Sequence, residues 1–110
     1  MNDLEIERRI ADIEGIHYIE TKYKGDGNFL ALVSENDFTG TPPEMIGKYN
    51  PLTDDALCFR LMIKHGLTVC TYYKIGDETP FYGAEIGLEE TEARTPHKAI
   101  CLAIIKDNES

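Results

Sequence analysis

Apolar residues near the start of the chain recur with a helical period. Ile6, Ile10 and Ile13 stand at i, i+4 and i+7, one narrow stripe with Arg8 and Arg9 outside it. The pattern predicts a helix over residues 3–14. Asn2 is its cap, Glu5 completes a capping-box-like pair, and Gly15 supplies the left-handed stop. A second helical pattern runs from Pro51 or Asp54 to His65. Leu52, Ala56, Phe59 and Ile63 make one apolar row, and Leu57, Leu61 and Met62 widen it. Asn50 before Pro51 is the expected cap, with Thr53 as its rival. Asp54 and Asp55 in the first turn, and Lys64 and His65 in the last, suit the helix dipole; Gly66 closes the helix. The third helix opens with Thr95-Pro96 and is apolar throughout 99–105, so it is expected to be covered on more than one side. Its polar tail, 107–110, is expected to fray.

Between the helices the period falls to two. Ile16–Tyr23 and Asn28–Val33 read as a hairpin around Lys24-Gly25-Asp26-Gly27-Asn28, residues that tolerate positive φ. Leu67–Ile75 is β-branched and aromatic, Gly76–Pro80 is a turn cluster and Phe81–Ile86 returns, which predicts a second hairpin. Gly83 inside the return strand marks a bulge or a close approach. Residues 34–49 hold Gly40, Pro42, Pro43 and Gly47 and read as an Ω-like excursion or one helical turn, anchored by Phe38, Met45 and Ile46. Residues 87–94 read as a loop.

The predicted order is α-β-β-α-β-β-α. It implies an α+β layered sandwich, an antiparallel sheet of about four strands with three helices. At 110 residues, 42% apolar and 28% charged, the chain is expected to form a single domain over 1–110, without internal repeats. No apolar run approaches the roughly 20 residues that span a bilayer, and MNDLEIERRI lacks a signal-peptide core, so no membrane association is expected. The net charge of -9 argues against direct binding to nucleic acid or anionic lipid.

Three cysteines, Cys58, Cys70 and Cys101, lie in apolar stretches without CxxC spacing. They read as reduced core thiols of a cytoplasmic protein. His97 and Cys101 share a helix face at i, i+4, but the apolar surroundings of Cys101 disfavour a reactive thiolate. His17, His65 and His97 stand at no metal-ligand spacing and read as solvated or core-edge residues. Gly25-Asp26-Gly27 has no third glycine and no Walker lysine. No GxSxG elbow exists, and the carboxylate pairs Asp54/Asp55, Asp77/Glu78 and Glu89/Glu90 lie at wet positions. The expectation is therefore a chain with no catalytic residue, no metal and no cofactor, and no enzyme.

The distribution of charge is more informative. Residues 76–92 carry Asp77, Glu78, Glu85, Glu89, Glu90 and Glu92 with no lysine or arginine. If the turn and the 87–94 loop share one end of the sheet, these six carboxylates form a surface that would steer a basic protein partner. Tyr72, Tyr73 and Tyr82 on the same hairpin would add contact area.

The second half also has a recognisable layout. Tyr49-Asn50-Pro51-Leu52-Thr53-Asp54 opens a helix, and Pro96-His97-Lys98-Ala99-Ile100-Cys101-Leu102-Ala103 closes the chain. This resembles the phage ABA sandwich domain family of small bacteriophage and prophage proteins. There a Tyr-x-Pro-Ser-Thr-Asp type motif opens one helix and the closing helix carries a Pro-x-x-Ala-Ile-Cys-x-Ala type pattern. Pro96, Ala99, Ile100, Cys101 and Ala103 match the closing pattern; Tyr49, Pro51, Thr53 and Asp54 match the opening one loosely. The resemblance spans about residues 45–105, and the chain lacks the tryptophan such proteins often carry in the hairpin. It implies an α-β-α layered fold, a phage origin, a bacterial host cytoplasm and no catalytic residue. The expected function is non-enzymatic binding of a host or phage macromolecule, for instance inhibition of a defence or nucleic-acid-processing protein. The alternatives are a small-ligand or nucleotide-binding module and a structural or assembly protein, the latter favoured by a homo-oligomer.

Overall fold

The computed structural model describes residues 1–22, 27–33, 45–76 and 78–109, with the side chains of Met45 and Ile46 excepted. The fold is α+β, with three helices and two three-stranded antiparallel sheets. The chain divides into two compact units, Met1–Asn50 and Pro51–Ser110.

In the first unit α1 spans Asp3–Ile13. The Asn2 side chain accepts the Glu5 N–H at 2.8 Å, the cap the sequence predicts. Gly15 then takes φ 68°, and the Ile16 N–H bonds back to the Ala11 carbonyl at 2.9 Å. A Cβ at that φ would crowd the carbonyl that follows, so glycine suits the stop. Strands β1 (Tyr18–Lys22), β2 (Asn28–Val33) and β3 (Met45–Lys48) form a meander with β2 in the centre. α1 lies against β2, and Ile6, Ile10, Ala11, Leu30 and Ala31 are all fully buried. At about 25 cal/mol per Å² of apolar surface, each buried isoleucine or leucine contributes roughly 1.5–3 kcal/mol. Two polar ties fix the helix over β1. Tyr18 donates its hydroxyl to Asp12 at 2.9 Å, and Arg8 reaches Glu20 at 3.2 Å.

The second unit repeats this order and adds a helix. α2 (Asp55–His65) has 11 residues, as α1 does, and Gly66 ends it at φ 67°. The meander of β4 (Thr68–Tyr72), β5 (Phe81–Ile86) and β6 (Glu89–Ala93) follows, with β5 in the centre. Ala84 in β5 is fully buried, as Ala31 is in β2. The two halves thus share the element order α-β-β-β, although the sequence shows no internal repeat. α3 (Pro96–Glu109) packs across β5 and β6 and against α2. Its first turn is capped by Thr95, whose hydroxyl accepts the Lys98 N–H at 3.2 Å. Ala99, Ile100, Cys101, Ala103, Ile104 and Ile105 are buried, so α3 is covered on more than one side as expected, and the helix continues through Glu109.

Several expectations are corrected. The two strands added to the predicted four are β3, at the end of the supposed excursion, and β6, in the supposed 87–94 loop. The rest of that excursion, 34–44 with Phe38, lies outside the described residues. The cap of α2 is Asp54, whose carboxylate accepts the Leu57 N–H at 3.1 Å, rather than Asn50 or Thr53. α2 also buries only one edge of the expected apolar surface, at Leu61, and leaves the 56/59/63 row exposed. Cys58 and Leu61 are buried, whereas Phe59 and Ile63 are 58% and 62% exposed. Arg60 and Lys64 lie beside the 56/59/63 row on the helical wheel and are exposed with it.

Candidate functional site

Two regions of the second unit gather candidate side chains. The first is one face of its sheet. The register sets Glu85 opposite Glu90, Gly83 opposite Glu92, and Tyr72 opposite Phe81. Alternation puts all of these on one face and leaves Tyr82, Ala84 and Ile86 on the other. Glu90 and Glu92 are exposed while Ala84 is sealed, so the carboxylates lie on the side away from α3.

The empty side-chain position at Gly83 organises this face. An added Cβ would meet the Glu90 carboxylate and stand 2.8 Å from the Tyr72 ring. Tyr72 therefore lies across the glycine, stacked on Phe81 with ring centroids 5.2 Å apart. The hydrogen bond from its hydroxyl to Glu90 is the first reason its pKa is pushed up to about 12, with burial adding to it. Lys74 stands 4.9 Å over the Phe81 ring, and Arg94 reaches the Thr79 carbonyl at 3.5 Å. The face is thus anionic toward the Gly87 turn and cationic toward the other end.

The remaining predicted partner-binding residues disperse. The 73–80 connection and the Gly87 turn lie at opposite ends of the antiparallel meander, so the carboxylates do not gather at one end. Glu78 is exposed on that connection, and Asp77 lies outside the described residues. Glu89 pairs with Ile86 and belongs to the opposite face, as does half-buried Tyr82. Tyr73, 70% exposed, lies just beyond the end of β4.

The second region is a groove of about 310 Å³ between α2 and the start of α3. Asp55, Cys58, Phe59, Met62, Pro96, His97 and Ile100 line it. His97 Nε2 lies 2.6 Å from Asp55 Oδ1, with His97 23% exposed and Asp55 91% exposed at the side chain. Cys58 and Cys101, both buried and in no disulfide, share a side-chain hydrogen bond. This bond holds the Cys58 thiol below its usual range. Desolvation opposes it, the charge of His97 assists it, and Asp55 and Asp54 oppose it.

Sequence reasoning weighed His97 with Cys101 on one helix but did not bring Asp55 and Cys58 to His97. Their approach is a product of helix packing across 42 residues and has no spacing signal. Among the described residues, no group of three or more His, Cys, Asp or Glu is disposed to hold a metal ion. Also among them, no helix is long and apolar enough to cross a membrane. Comparison with protein-family models, characterised proteins and solved structures gave no match.

Proposed function

We propose that the protein is a non-enzymatic binding protein that engages a basic protein through the outer face of the β4–β5–β6 sheet. The observation that carries this reading is the direct opposition of Glu85 and Glu90, with Glu92 one residue pair along. Like charges placed opposite each other on a sheet cost stability, and no lysine or arginine pairs with these three among the described residues. A cationic partner would relieve that repulsion, while the stacked Tyr72 and Phe81 offer it a flat apolar plate. With the resemblance of Pro96–Ala103, this makes a phage or prophage accessory protein acting on a host or phage macromolecule the favoured version.

The test is capture of a bacterial partner by the wild-type chain and by a Glu85→Gln/Glu92→Gln variant, at low salt and at about 0.5 M salt, where screening is strong. The reading requires one partner retained by wild type at low salt and lost in the other two conditions. Retention by the variant would overturn it. A second reading, a small-ligand module, draws on the α2–α3 groove, whose volume sits at the lower end of the range for ligand pockets. Thermal-shift screening discriminates, since a bound ligand raises the melting temperature.

A further inference from the structure

We infer that Cys58 and Cys101 form an oxidisable dithiol that reacts with small hydroperoxides entering the α2–α3 groove, with His97 handling the protons. The inference is independent of the acidic face.

Three features support it. The two thiols come from helices that pack on each other, and the hydrogen bond with Cys101 is the first cause of the lowered Cys58 pKa. Cys58 lines the groove, and so does His97, which Asp55 holds by a 2.6 Å contact. His97 and Cys101 are four residues apart on α3 and share a face.

The size of the reagent follows from exposure. Cys58 is 3% exposed, so a bulky disulfide cannot align with its sulfur, whereas a hydroperoxide needs only a narrow approach. In the first step the Cys58 thiolate attacks the terminal oxygen of ROOH. The S–O bond forms, the O–O bond breaks, and the departing alkoxide takes a proton from the His97 imidazolium to leave as ROH. In the second step neutral His97 accepts the Cys101 proton. The Cys101 sulfur attacks the Cys58 sulfenic acid, the S–S bond forms, the S–O bond breaks, and the leaving hydroxide recovers that proton as water. Overall the two thiols lose two electrons and the peroxide gains them.

The decisive experiment uses the native wild-type chain. It is exposed to near-stoichiometric hydrogen peroxide, its remaining thiols are alkylated, and its peptides are mapped by mass spectrometry. The expected first product is a Cys58–Cys101 disulfide, with the loss of two hydrogens and Cys70 still alkylated. A Cys101→Ser chain, unfolded in dimedone directly after the peroxide pulse, should instead carry the dimedone adduct of a sulfenic acid at Cys58. His97→Gln should slow disulfide formation about tenfold or more. Oxidation of Cys70 before Cys58, a Cys58 that stays fully alkylatable, or over-oxidation of Cys58 without a bridge would overturn the inference. The wild-type map decides even if a variant fails to fold.

Discussion

Asp55 and His97 meet at 2.6 Å although 42 residues separate them, and the contact joins the first turn of α2 to the first turn of α3. Its neighbour Asp54 does a different job, capping α2 through the Leu57 N–H. The two adjacent aspartates should therefore respond differently to substitution. Asp54→Ala should cost about 1 kcal/mol, as loss of an N-cap does. Asp55→Asn should cost under about 1 kcal/mol, because an exposed ionic contact is well screened. Urea denaturation of both variants measures the order, and a larger loss at Asp55 would contradict it.

The burial of α2 gives a second test. Leu61→Ala should cost about 2–5 kcal/mol by cavity formation. Phe59→Ser, on the exposed row, should change stability by no more than about 0.5 kcal/mol. Chemical denaturation reads both, and the reverse order would restore the face that hydrophobic periodicity favoured.

Gly83→Ala should push aside the Glu90 carboxylate and the Tyr72 ring, at a cost of about 1–3 kcal/mol. It should also bring the Tyr72 titration back toward the ordinary tyrosine range. Ultraviolet absorbance titration detects that movement, and an unchanged titration with full stability would show that the glycine position is not closely covered.

Alkaline pH should weaken the fold through the same tyrosine. The Tyr72 pKa rises from 10.0 unfolded to about 12 folded. Between these values the unfolded chain binds fewer protons than the folded one, so unfolding becomes easier as pH rises. The contribution is complete below pH 10 and is lost through about pH 12. Tyr18, raised mainly by burial and then by its bond to Asp12, acts in the same direction. Tyr72→Phe should remove the latest-titrating component of the absorbance curve and flatten the decline in stability. A curve identical to wild type would argue against the Tyr72–Glu90 bond.

The helix ends were the most legible part of the fold. Asn2, Gly15, Gly66 and Thr95 are local signals, and each acts where the sequence places it. β3 and β6 were not legible. Glu89-Glu90-Thr91-Glu92-Ala93 has little strand propensity and forms because β5 needs a second hydrogen-bonding neighbour. Met45–Lys48 follows prolines and a glycine that mask its four residues. In α2 both helical faces carry apolar side chains, so periodicity identified a helix without selecting its inner side. The acidic residues of 76–92 were visible, but their division between two sheet faces depends on register. The grouping of Asp55, Cys58, His97 and Cys101 depends wholly on tertiary packing.

α3 lies between β5–β6 and α2 with six of its residues buried. A helix so enclosed cannot fray inward one turn at a time, so its central amides, from Cys101 to Ile105, should exchange with deuterium only when the whole second unit opens. Its outward reach then ends where its burial does: α3 sets the slowest clock in that unit, and the sheet face and the groove keep time against it.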